Sequence, residues 1–165
     1  PRGSESSIVN INTPIEKNKG IVISKGKDLT IVAVGNMLSQ AIEVKNILNN
    51  HGFSPEIINP RFIKPYDNEL IFDSVKKTKF LVTIEDNAII GGFGSNLVND
   101  IYSKNINAKV KVFGFKDEFI KHGTRDQLYE KYGLDTNFIA DEILNIISKS
   151  RRFTIEKGTV RRTIS

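Results

Sequence analysis

The chain has 165 residues, no cysteine, 39% hydrophobic and 26% charged residues, and a formal net charge of +5. That length and balance suit one globular domain with a real core. The absence of cysteine excludes disulfides, a thiolate nucleophile and cysteine-held zinc or iron–sulfur sites. The charge is unevenly placed. Residues 151–165 hold five basic residues against Glu156, a net of +4, while the first 150 hold 19 basic and 18 acidic groups, a net of +1. The body of the chain is therefore close to neutral, which weakens a nucleic-acid reading, since that calls for a basic face on the fold itself. Its apolar runs, such as residues 29–34, are too short to cross a bilayer, and no signal-peptide pattern opens the chain.

Residues 1–19 have no periodicity and carry Gly3 and Pro14, the pattern of an extended connector. Residues 20–24 fit a short edge strand. Residues 29–34 are mostly β-branched or apolar and bounded by charge and Gly35, which predicts a strand. Ala41, Ile42, Val44, Ile47 and Leu48 give helical spacing over 39–50, and His51-Gly52 supplies the stop, with His51 capping the helix end. Residues 55–59 read as a further strand. Asp67 is placed to N-cap a helix that runs to about Lys77. Residues 80–84 are a strand, Gly91-Gly92-Phe93-Gly94-Ser95 opens a helix, and residues 110–113 are the last strand. Helices follow over 124–132 and 136–147; the second carries Ile139, Ile143, Ile146 and Ile147 on one stripe. Strands alternating with helices imply a three-layer α-β-α domain with a mostly parallel sheet of about five strands over 20–148. Residues 149–165 lack apolar periodicity and read as a basic, solvated tail.

In such a sheet, ligands bind outside the carboxyl ends of the strands, and three segments fall there. After the strand at 55–59 comes Arg61, whose fixed fork of donors suits a phosphate or carboxylate; an ion-paired surface role is the plainer alternative. Lys64 is expected to point elsewhere, and Pro65 to shape the turn into the next helix. After the strand at 80–84 come Glu85 and Asp86. Neighbours on an extended chain point to opposite faces, so they do not act as a pair, and capping of backbone amides is the simpler role. Gly91, Gly92 and Gly94 match neither dinucleotide fingerprint nor P-loop; close packing of the helix on the sheet accounts for them. After the last strand comes His122, the single histidine near the ligand edge. No nucleophile context accompanies it, so it is expected to support the site without touching substrate.

Pro1-Arg2-Gly3, Arg61-Phe62-Ile63-Lys64-Pro65-Tyr66-Asp67, Glu85-Asp86-Asn87, Gly91-Gly92-Phe93-Gly94-Ser95, Phe119-Ile120-Lys121-His122-Gly123 and Tyr132-Gly133-Leu134-Asp135 occur in this order. Over residues 1–148 the series resembles the C-terminal domain of the 1-deoxy-D-xylulose-5-phosphate synthases, transketolase-like enzymes. On this resemblance Pro1-Arg2-Gly3 is native sequence rather than the remnant of a cleaved tag. The resemblance implies an enzyme that condenses pyruvate with D-glyceraldehyde 3-phosphate and releases carbon dioxide, and that works as a homodimer with thiamine diphosphate and Mg2+. It implies that Arg2 and Arg61 bind the acceptor phosphate; Glu85 and His122 are read as candidates for a supporting role behind the site. No cofactor- or metal-binding residue is expected here, because the diphosphate-binding segment and the pyrimidine-binding domain have no counterpart in these residues. The chain alone is therefore expected to be inactive, with the rest of its own polypeptide as partner and no nucleic-acid or membrane partner. The compartment implied is the plastid in a plastid-bearing eukaryote and the cytoplasm otherwise. Two alternatives stand beside this reading: the same domain of a transketolase or of a 2-oxo acid dehydrogenase β chain, and a non-catalytic module that docks through its basic tail.

Overall fold

A computed structural model describes residues 13–119 and 122–162, with side chains as far as 150. Among these described residues, five strands and five helices follow one another: β1 (Ile21–Ser24), β2 (Leu29–Ala33), α1 (Met37–Asn50), β3 (Pro55–Asn59), α2 (Asn68–Thr78), β4 (Phe80–Ala88), α3 (Phe93–Ser103), β5 (Lys109–Phe115), α4 (Arg125–Tyr132) and α5 (Thr136–Arg162). The sheet order is β1-β3-β2-β4-β5. β3, β2, β4 and β5 run parallel, and β1 lies antiparallel on the edge against β3.

Side-chain alternation along each strand divides the core into two layers. Ile31, Ala33, Val82 and Ile84 pack with α1 and α5 on one face. Val32, Ile58 and Leu81 pack with α2 and α3 on the other. β2 is buried along its whole length, as a central strand covered on both faces must be. The α-β-α layering expected from the sequence is the layering found. Among the described residues, no helix is long and apolar enough to cross a membrane.

The helix ends follow from side-chain chemistry. The Asp67 carboxylate accepts from the Leu70 amide at 3.3 Å and so caps α2. Thr124 and Gln127 form a reciprocal capping box at the start of α4. The His51 ring nitrogen meets the Ile47 carbonyl at 2.9 Å at the end of α1. Two elements exceed their sequence pattern. β4 continues four residues beyond Ile84 because Ala88 still pairs with Phe115. α5 continues past residue 147 to Arg162, since no proline interrupts it there. Within β5 and α5, Lys111 donates to Glu142 at 2.7 Å, which ties the edge strand to the helix across it.

Candidate functional site

The exits of β2, β3, β4 and β5 lie on one edge of the sheet, since these four strands are parallel. Arg61 stands two residues past the end of β3. Its backbone is left-handed, with φ 56°, a conformation that costs a non-glycine residue roughly 1–2 kcal/mol. The Arg61 amide donates to Asn59 Oδ1 at 2.9 Å, which holds the turn. Nη1 donates to the Pro14 carbonyl at 2.7 Å and Nη2 to the Thr13 carbonyl at 3.0 Å. The guanidinium thus clamps the connector that leads into β1. Six residues further on, Asp67 takes a second hold of the same segment, through the Gly20 amide at 3.3 Å and Lys19 Nζ at 3.7 Å.

Glu85 and Asp86 point to opposite faces, as adjacent strand residues must. Glu85 is only 2% exposed. It accepts from the Phe93 amide at 2.9 Å and the Gly94 amide at 2.8 Å, so it caps the first turn of α3 from the sheet. Burial raises its pKa against the lowering effect of those two amides. The bare Cα of Gly94 is what permits this approach: a Cβ there would lie 2.4 Å from Thr83 Oγ1 and 2.8 Å from Val112 Cγ1. Close packing is therefore the role of this glycine, as its context suggested. Thr83 Oγ1, beside it, is buried and without a hydrogen-bond partner.

Asp86 turns toward α4. Asn36, just past β2, donates to Asp86 Oδ2 at 3.1 Å and to the Tyr129 hydroxyl at 3.2 Å. Burial, the charge of Asp86 and a hydrogen bond to it push the Tyr129 pKa up. Sequence reasoning did not single out Asn36 or Tyr129, because the bond between them spans 93 residues.

Lys64 does separate from Arg61, as expected. With Pro65, to which it is joined by a cis peptide bond, it lines a groove of about 370 Å³ shared with Tyr66, Phe93 and Asp100. There the Tyr66 hydroxyl donates to Asp100 at 2.5 Å, and Tyr66 stacks edge-on against Phe93 with ring centroids 5.4 Å apart. Tyr66 and Asp100 carried no sequence signal beyond their types.

His122 is exposed and follows β5, whereas Arg61 follows β3, with β2 and β4 between the two strands. Arg2 lies outside the described residues. Among the described residues, no group of three or more His, Asp or Glu side chains gathers as a metal site would.

An open, mostly parallel sheet with a cationic fork at one strand exit and a carboxylate-capped helix at another defines an α/β domain of the three-layer kind. The chain belongs to the transketolase C-terminal domain family, whose profile, described as Transketolase, C-terminal domain, matches residues 18–139. It is similar to the 1-deoxy-D-xylulose-5-phosphate synthase of Caldanaerobacter subterraneus subsp. tengcongensis, 41% identical over 133 residues that cover 81% of this chain and 21% of that protein. The synthase of Chlorobaculum tepidum is 37% identical over 146 residues, 87% of this chain and 23% of that protein. The chain thus spans about a fifth of the length of these relatives. Among solved structures it resembles one described as a split gene transketolase, inactive beta4 tetramer, with TM-score 0.77 and 31% identity over 85% of this chain and 46% of that one. Transketolase from Campylobacter jejuni shares the fold, with TM-score 0.53 and 17% identity over 78% of this chain and 19% of that one.

Proposed function

We propose that these residues are the C-terminal domain of a 1-deoxy-D-xylulose-5-phosphate synthase, which condenses pyruvate with D-glyceraldehyde 3-phosphate and releases carbon dioxide. The observation that carries this reading is the likeness to synthases at 37–41% identity along most of the chain. The domain supplies the site for the acceptor phosphate and surfaces for the rest of a homodimeric enzyme.

Arg61 is the phosphate ligand, with Arg2 as its companion. In support, a guanidinium has five N–H donors, and the Thr13 and Pro14 carbonyls take only one from each Nη. A phosphate distant from the reacting carbon is a handle whose binding energy orients the aldehyde for attack. Glu85 acts at one remove, by fixing the start of α3, and His122 supports the exit of β5. Thiamine diphosphate and Mg2+ belong in this reading to domains outside these residues, so the 165-residue chain by itself forms no product.

Assays of the complete polypeptide with pyruvate and a panel of aldehyde acceptors test this. Release of carbon dioxide with D-glyceraldehyde 3-phosphate is expected, and none from the 165-residue chain. A second reading is favoured by the likeness to the split gene transketolase: the domain would then serve a transketolase-like subunit. Two-carbon transfer from a ketose phosphate, with no use of pyruvate, would select that reading instead.

A further inference from the structure

The turn that carries Arg61 is more constrained than a surface turn requires. Asn59 is the last residue of β3 and is paired in register with Ile21, so its position is referenced to the sheet. Its Oδ1 accepts the Arg61 amide at 2.9 Å. The Pro60 side chain is buried, and the Phe62 amide donates back to the Pro60 carbonyl at 2.6 Å. Between these fixed points Arg61 adopts φ 56°. A non-glycine residue keeps such a conformation only where its surroundings enforce it, and such residues cluster at ligand clamps. An asparagine two residues before the bonded amide is a side chain that can enforce it, because its carbonyl imitates a backbone turn.

The backbone conformation decides where the long Arg61 side chain goes. In the left-handed turn, the guanidinium reaches the Thr13 and Pro14 carbonyls. An extended backbone at the same residue would send the Cβ vector elsewhere and carry the fork away with it. We propose that Asn59 is a positioning residue for the anion site: it sets the aim of Arg61 by holding that residue's backbone left-handed. The proposal rests on the reading of Arg61 as a phosphate ligand. No direct contact of Asn59 with substrate is needed.

Steady-state kinetics of the complete synthase tests it with Asn59→Ala, Asn59→Gln, Asn59→Ser and Arg61→Ala. Asn59→Ala should raise KM for D-glyceraldehyde 3-phosphate by about ten- to a hundredfold, the scale of a misplacement of order 1 Å, with KM for pyruvate unchanged. Asn59→Gln keeps the amide but displaces it by one methylene, and should behave like Ala should the Ala variant fail to fold. Asn59→Ser, whose hydroxyl accepts the same amide more weakly, should fall between these variants and the parent. Should Arg61→Ala raise the acceptor KM while neither Asn59→Ala nor Asn59→Gln does, Asn59 has no positioning role and the phosphate reading stands. An equal rise in both KM values for the Asn59 variants would mean general damage and would also overturn the proposal. An acceptor KM untouched by Arg61→Ala removes the phosphate reading, and this inference with it.

Discussion

Glu85 Oε1 lies 2.8 Å from the Gly94 amide and 3.0 Å from the point where a Cβ on Gly94 would stand. One carboxylate and one missing side chain therefore set the height of α3 above the sheet. Gly94→Ala gains up to about 1 kcal/mol of helix propensity but forces the new methyl into Thr83 and Val112. Overpacking of this kind costs about 1–3 kcal/mol, so urea unfolding should show a net loss of stability. A neutral or stabilising outcome would mean that α3 can rise off the sheet without cost.

Glu85 also gives the domain a pH response. Its folded pKa is raised above the ordinary value of 4.5 because burial outweighs its two amide bonds. The folded state therefore holds this proton more tightly than the unfolded state. The stability it confers is fully present below 4.5 and is lost as pH rises through the folded pKa. Glu85→Gln should flatten that part of the stability profile. Glu85→Ala should cost about 1–3 kcal/mol for each amide left unpaired. A side-chain carboxyl titration by NMR with Glu85 at or below 4.5 would contradict the assignment.

Glu56 works in the opposite sense. Burial alone would raise its pKa, but the hydrogen bond and charge of Lys77, with help from Ser74 and the Gly26 amide, hold it below 4.5. Lys77 Nζ lies 2.6 Å from Glu56 Oε2. This contribution is present above 4.5 and is lost as pH falls through the depressed folded value. Lys77→Met should raise the Glu56 pKa and lower stability at neutral pH by about 1 kcal/mol, because the lysine is half exposed and its charge is screened. An unchanged Glu56 titration would show that the pair is not coupled.

Thr30 is the hub of a small buried hydroxyl network. Its Oγ1 lies 2.7 Å from both Ser74 Oγ and Thr78 Oγ1, and this joins β2 to α2. Thr30→Val keeps the shape and removes the shared partner. Thr78 retains its bond to the Ser74 carbonyl at 3.1 Å and Ser74 its bond to Glu56, so the expected cost is that of the lost hydrogen bonds alone, about 0.5–1.5 kcal/mol each, read by thermal or urea unfolding. A Val variant as stable as the parent would show that the hydroxyls rearrange among themselves.

The parts of this fold that depend on near neighbours were legible in the sequence. The strand at 55–59, the Asp67 cap, the opposed directions of Glu85 and Asp86 and the packing role of Gly94 all follow from spacing and residue type. The end of β4 was not legible, since Glu85 and Asp86 break the apolar run and only the pairing of Ala88 with Phe115 continues the strand. The run of α5 beyond residue 147 was missed for a similar reason: periodicity marks a buried face, and a helix can continue without one. The Arg61 clamp on Thr13 and Pro14 spans 47 or more residues. Nothing local announces it.

The central claim, that Arg61 holds the acceptor's phosphate, is tested most directly by Arg61→Ala in the complete synthase, with KM measured for both substrates. Loss of a charged hydrogen-bond partner should cost about 1.5–3 kcal/mol of acceptor binding. The predicted result is a KM for D-glyceraldehyde 3-phosphate that rises about 10- to 150-fold by the same energy scale, with KM for pyruvate nearly unchanged. Equal changes in the two constants, or none in either, would contradict it.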